Sequence, residues 1–207
     1  MIELFLAVFI PLFIIVNPSS TLALFSAITM KYSKKERKKT AKNASIYAAI
    51  LLIIFAFLGT GILTYLQINI YALRIAGGIL LAFVGLDMTK RGQQFGESPP
   101  GEEHKVDYAL VPLAMPSLSG PGAITVTIVS MQTLDVIWPI RIILTITAII
   151  LTMIITYIMF LGSGIVIKAL GSKGMDAFTR VMGLLTVAIA IQFALTGLAS
   201  WIATLNL

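Results

Sequence analysis

Apolar residues run along this chain in long stretches, and polar residues gather in short clusters between them. Neither the two-residue alternation of a half-buried strand nor the single stripe of an amphipathic helix dominates. Each stretch approaches the roughly 20 residues an α-helix needs to cross a hydrocarbon core. Six spans are predicted, at about residues 4–30, 43–66, 71–88, 109–131, 138–170 and 178–203. The fifth is overlong, so it is either tilted or extended by an interfacial tail around Lys168. The expected class is an all-α membrane protein with six transmembrane helices.

Two spans carry helix breakers. Val16-Asn17-Pro18-Ser19-Ser20-Thr21 interrupts the first, and Pro116-Ser117-Leu118-Ser119-Gly120-Pro121-Gly122-Ala123 interrupts the fourth. A bilayer core offers no water to a freed backbone group, so irregular backbone there must be packed in protein or line a cavity. Helices 1 and 4 are therefore expected to be discontinuous. Asparagine is a favoured N-cap and proline a favoured first helical residue, so a half-helix should start at Asn17-Pro18. Gly120-Pro121 should start another. The N–H groups of Ser19, Ser20, Gly122 and Ala123 would then be free, and a helix N-terminus with free donors favours negative charge. Carbonyls ending the preceding half-helices, near Ile15, Val16, Ser117 and Leu118, suit an ammonium group or a cation. The candidate substrate-binding residues are Asn17, Pro18, Ser19, Ser20, Thr21, Ser117, Ser119, Gly120, Pro121, Gly122 and Ala123.

The two halves repeat. Leu58-Gly59-Thr60-Gly61-Ile62 returns as Leu161-Gly162-Ser163-Gly164-Ile165, and Asn17-Pro18 stands at the same offset from Gly120-Pro121. Arg74-Ile75-Ala76-Gly77 is echoed by Arg180-Val181-Met182-Gly183, and Ala82 by Ala188, after a small insertion. Residues 1–90 and 108–207 read as three-helix repeats joined by a cytoplasmic linker loop at 91–107. Three is an odd number of spans, so the second repeat enters the membrane inverted, the design of many secondary transporters.

Composition agrees: of 207 residues, 58% are hydrophobic and 12% charged, outside the soluble range. The net charge of +6 does not point to nucleic acid, because the basic residues cluster at 31–42 beside an apolar span. One side of the membrane takes Lys31, Lys34, Lys35, Arg37, Lys38, Lys39, Lys42, Lys90, Arg91, Lys105, Lys168, Lys173 and Arg180. The other takes only Arg74 and Arg141. The positive-inside rule makes the first loop cytoplasmic, against anionic headgroups, and puts both termini outside. The N-terminus does not read as a cleavable signal.

Cysteine is absent, which excludes disulfides and thiolate metal sites. No Asp, Glu, Lys, Arg or His stands near the middle of a span, which suits a net-neutral solute. Ser119 and Ser163 lack a base within reach, His104 lies in a polar loop, and no metal-ligand or phosphate-binding spacing occurs. No enzyme activity and no cofactor are expected, beyond a coupling ion. Sodium held by carbonyls and hydroxyls at the breaks is one choice. A proton carried through waters or by Asp87 is the other, although Asp87 reads more simply as a solvated helix end. Gly77, Gly78, Gly85 and Gly183 are expected at close helix contacts. Arg74 and Arg180 are expected to snorkel to headgroups.

The break Asn17-Pro18, the run from Pro112-Leu113-Ala114-Met115-Pro116 to Ser119-Gly120-Pro121-Gly122-Ala123-Ile124, and Arg74-Ile75-Ala76-Gly77-Gly78 resemble the MarC family. The resemblance covers essentially the whole chain. That family includes SnatA-type transporters of small neutral amino acids. The resemblance implies an inner-membrane secondary transporter of glycine, alanine and serine-like substrates, working by alternating access in symport with a cation. The alternative is a channel or an exporter of other small solutes. Ser19 departs from the glycine expected after Asn-Pro. The implied partners are a small neutral amino acid and the lipid bilayer, with no nucleic acid; the pattern carries no signal for oligomeric state.

Overall fold

The computed structural model describes residues 1–91 and 108–205. The linker expected at 91–107, with His104 and Lys105, lies outside the described residues except for Arg91, which ends a helix. Among the described residues the regular structure is helical: α1 (Ile2–Val16), α2 (Pro18–Ile28), α3 (Lys34–Tyr65), α4 (Ile70–Arg91), an irregular segment Ala109–Leu118, α5 (Pro121–Thr133), α6 (Trp138–Leu161) and α7 (Ser163–Thr204). Five helices are long and apolar enough to cross a membrane, or six if the bent pair formed by Ala109–Leu118 and α5 is one span.

The two interrupted stretches differ in shape. α1 and α2 continue as one 27-residue span, Ile2–Ile28, with a single non-helical residue at Asn17. By contrast, Ala109–Leu118 and α5 meet at 59°. The reason lies in Pro112 and Pro116. Each pushes its predecessor out of the helical region, and Val111 (φ −128°, ψ 124°) and Met115 (φ −128°, ψ 128°) are both extended. Both peptide bonds into these prolines are cis. Asn17-Pro18 disturbs one residue only, because the proline stands where a new helix starts.

α3 opens on a capping box. The Ser33 hydroxyl accepts from the Glu36 N–H, and the Glu36 carboxylate accepts from the Ser33 N–H at 2.8 Å. The overlong fifth stretch is not one helix. α6 ends at Leu161, where the Gly162 N–H donates to Ile158 O at 2.9 Å. The next eight residues open α7, which breaks at Gly171 (φ 64°, ψ 177°) before the apolar span Lys173–Thr204. A left-handed φ with extended ψ suits glycine alone, so Gly171 separates the short leading piece from the span.

α4 and α7 pack antiparallel through small residues spaced seven apart: Gly78 and Gly85 on one, Gly183, Ala190 and Gly197 on the other. A Cβ added at Gly78 would lie 2.7 Å from Ala190 O, at Gly85 2.8 Å from Gly183 O, and at Gly197 2.9 Å from Tyr71 O. Lipid tails are as apolar as leucine, so membrane helices associate through close backbone packing of this kind. The buried core holds Val8, Leu12, Val16, Leu22, Leu118, Ala123 and Val126, so both breaks sit inside it. Phe83, Leu184, Ile50 and Ile54 point outward.

Candidate functional site

Asn17 has φ 44° and ψ 68°, a left-handed conformation that asparagine tolerates better than most residues. Its N–H donates to Phe13 O at 3.1 Å and closes α1, while its carbonyl receives the Thr21 N–H at 3.5 Å and opens α2. One residue thus ends one helix and begins the next. Asn17 is the N-cap of α2, as the sequence predicts, and its side chain leaves the α2 backbone unbonded. An N-cap side chain reaches the N2 or N3 amide from an extended backbone, which Asn17 does not have. Its amide instead gathers hydroxyls. The Ser19 Oγ donates to Asn17 Oδ1 at 2.6 Å, and Asn17 Nδ2 donates to Ser20 Oγ at 2.7 Å and approaches Met88 Sδ at 3.8 Å. Asn17, Pro18, Ser19 and Thr21 are buried, and Ser20 is half-buried.

At the second break Gly120 is the N-cap of α5, with extended backbone (φ −72°, ψ 175°) and Pro121 behind it as first helical residue. A Cβ there would meet Pro116 O at 2.6 Å, and a backbone atom cannot swing aside, so the tight turn requires glycine. Ser119 is fully buried, and both its N–H (2.9 Å) and its Oγ (2.8 Å) donate to Ala114 O. Its hydroxyl is committed to the turn. Ser117 and Gly122 are half-buried, Pro121 is exposed and Ala123 is buried.

The fold brings the two breaks together. A Cβ built on Gly122 would collide with Leu81 of α4 and lie 3.0 Å from Ile15 Cγ2, two residues before Asn17. The N–H groups of Ser19, Ser20, Gly122 and Ala123 have no hydrogen-bond partner among the described residues. The start of α5, with its free donors, therefore lies against the last turn of α1, just before the start of α2, in one core. Such ends attract an anionic group.

The sequence model of MarC family integral membrane proteins matches residues 2–202. The chain belongs to the MarC family. Its relatives include a UPF0056 membrane protein of Methanocaldococcus jannaschii, 39% identical, with 95% of this chain and 97% of the relative aligned. A UPF0056 membrane protein of Archaeoglobus fulgidus is 34% identical over 100% of this chain and 97% of its own. The UPF0056 inner membrane protein MarC of Citrobacter koseri is 32% identical over 99% of each chain. No solved structure matches closely enough to be compared. Family membership and the apolar helices together make this a multi-pass membrane protein.

Several residues around the breaks of this MarC protein carry no local sequence signal. Met88 and Leu81 reach the site from α4 as ordinary apolar residues. Thr125 of α5 fills the space a side chain at Gly77 would take, while its Oγ1 donates to Pro121 O at 2.9 Å. Arg141 is not merely a charge on the sparsely basic side. Its guanidinium donates to Met131 O (3.0 Å), Gln132 O (3.3 Å), Leu134 O (2.7 Å) and Val136 O (3.0 Å), binding the end of α5 to the start of α6. An arginine within the first turn of a helix that follows a short loop was the available signal. Arg180 likewise donates to Thr89 O at 3.1 Å near the end of α4.

Proposed function

We propose that this chain is a secondary transporter of small neutral amino acids such as glycine, alanine and serine. It works by alternating access, in symport with sodium or protons. The reading assigns residues 1–90 and 108–207 to two inverted three-helix repeats, with helices 1 and 4 discontinuous and a cytoplasmic linker between the repeats. It puts the chain in the inner membrane, as the Citrobacter relative's name says of that protein. Both termini then face outward and the basic loop faces the cytoplasm, following the Lys and Arg asymmetry.

The contact of Gly122 with Ile15 carries the reading. It sets the start of α5, whose free N–H groups suit a carboxylate, against the last turn of α1, whose carbonyls suit an ammonium group or a cation; the start of α2 follows directly. Broken helices paired across an inverted repeat are the usual setting for a transporter site. No catalytic role is assigned to any residue.

Uptake of radiolabelled glycine into proteoliposomes, under sodium and pH gradients imposed separately, tests this. Concentrative uptake under one gradient is expected, and it names the ion. No accumulation under either gradient, together with no thermal stabilisation by any neutral amino acid, overturns the proposal; a bound ligand must stabilise by mass action.

A further inference from the structure

The two ends of the protein carry related parts in opposite conditions. At one end, a cavity of about 500 Å³ opens between α3, α5 and α6, with Thr60, Gln132, Trp138 and Arg141 on its wall. Gln132 Nε2 donates to Thr60 Oγ1 at 3.2 Å, giving the wall a polar edge, and the Arg141 guanidinium adds positive charge. One turn before Gln132 on α5, Ile128 packs against the bare backbone of Gly59. From Ile128 to Gly122, where the breaks adjoin, is about 9 Å along α5.

At the other end the corresponding space is filled. Ser163 occupies the place in Leu161-Gly162-Ser163-Gly164-Ile165 that Thr60 occupies in Leu58-Gly59-Thr60-Gly61-Ile62. Ser163 is fully buried and receives a hydrogen bond from Arg37 Nη2, from a residue 126 positions away in the chain. The Arg37 guanidinium also stands 5.5 Å over the Phe25 ring. Phe25 of α2 stacks flat on Phe160 of α6, with centroids 4.4 Å apart and planes 1° from parallel, and both rings are fully buried. Arg37 and Arg141 stand near the starts of α3 and α6, the second span of each proposed repeat.

We propose that the cavity between α3, α5 and α6 is the access site through which the transported solute enters, and that Phe25, Phe160, Arg37 and Ser163 are the closed form of the equivalent site at the opposite end. The inference rests on the transporter reading above. The structure then represents a state open on the Trp138 side. The cycle opens the Arg37–Ser163 closure as the Thr60–Arg141 cavity narrows. The solute class follows from the wall: a small polar molecule bearing a carboxylate, drawn by the positive charge of Arg141, whose terminal N–H groups are already held by backbone carbonyls, and by hydrogen bonds to Thr60 and Gln132.

The chain has no cysteine, so single cysteines report access without background. Thr60→Cys and Ser163→Cys are each reacted with a charged, membrane-impermeant maleimide, applied from either side of vesicles. Thr60→Cys is expected to react from the Trp138 side, and Ser163→Cys to be protected from both. Adding Arg37→Ala should speed the Ser163→Cys reaction and slow that of Thr60→Cys, each by at least about fivefold, the low end of coupling between linked sites. Arg37→Lys, which keeps the charge, should give an intermediate result if Arg37→Ala proves poorly folded.

Equal reactivity of the two cysteines overturns the inference. So does exposure of Ser163→Cys with no change at Thr60→Cys, which describes a local seal. Reaction of Thr60→Cys with N-ethylmaleimide alone, and not with the charged reagent, overturns it in favour of a lipid-filled crevice. Labelling does not depend on uptake. A protein that transports glycine but labels symmetrically refutes this inference alone. Reciprocal labelling with neither glycine accumulation nor stabilisation by any neutral amino acid leaves the paired access sites standing and removes the amino-acid transporter reading.

Discussion

Gly122 of α5 lies against Ile15 of α1, so close that a Cβ on the glycine would stand 3.0 Å from the isoleucine Cγ2 and overlap the Leu81 side chain. The contact joins two helix breaks more than a hundred residues apart in the chain. Bulk at this point enters the space between the start of α5 and the last turn of α1 directly. Gly122→Val should fold with a loss of about 1–3 kcal/mol from overpacking and should abolish glycine uptake. Gly122→Ala should cost less, because the end of the Leu81 side chain can turn away. Thermal unfolding in detergent and proteoliposome uptake, measured together, check both; full uptake by the valine variant contradicts a solute path at the break.

Asn17 makes two separable contributions. Its φ of 44° would cost alanine about 1–2 kcal/mol but glycine little. Its amide holds the hydroxyls of Ser19 and Ser20. Asn17→Gly should therefore be more stable than Asn17→Ala, yet both should lose uptake, because neither can arrange the two serines. Equal stability of the two variants would show that the backbone conformation carries no weight there.

The α4–α7 seam gives a sharper contrast. A Cβ at Gly85 or Gly183 would lie 2.8 Å from a backbone oxygen of the opposite helix, and the helices must part to admit it. Gly85→Ala and Gly183→Ala should each lower stability by about 2 kcal/mol or more. Gly164 has nothing within 4 Å of such an atom. Gly164→Ala should change stability by no more than about 0.5 kcal/mol. Comparing melting temperatures of the three variants decides it.

Arg141 anchors the turn between α5 and α6 through four carbonyls. Lysine keeps the charge but lacks the planar fork that reaches both pairs at once. Both Arg141→Ala and Arg141→Lys should lose about 2 kcal/mol, the scale of hydrogen bonds to a charged group. Hydrogen exchange across residues 134–137 should accelerate in both; unchanged exchange would mean that the turn holds without the guanidinium.

Local chemistry made several features legible. The residues around Asn17-Pro18 and Gly120-Pro121 were recognisable because proline and glycine act on the backbone of their immediate neighbours, whatever surrounds them. The ends of the long fifth stretch were harder to read. Gly162 looks like any small residue in an apolar run, and only its backbone (φ −84°, ψ 5°) shows that α6 stops there. The partners of the Asn17 side chain were not legible, because they depend on the left-handed turn that closes α1 and points the amide at Ser19 and Ser20.

Membrane residence, the approximate limits of most spans and the positions of the breaks follow from the chain alone, since each depends on the length of an apolar run or on backbone sterics within a few residues. The partners of those breaks do not. Leu81, Met88 and Ile15 come to the site from other helices, and Arg37 meets Ser163 from 126 positions away. Such pairings depend on how helices cross and which faces meet. In a membrane chain, where nearly every face is apolar, hydrophobic pattern cannot tell an inward face from a lipid-facing one; close packing of glycine against backbone does.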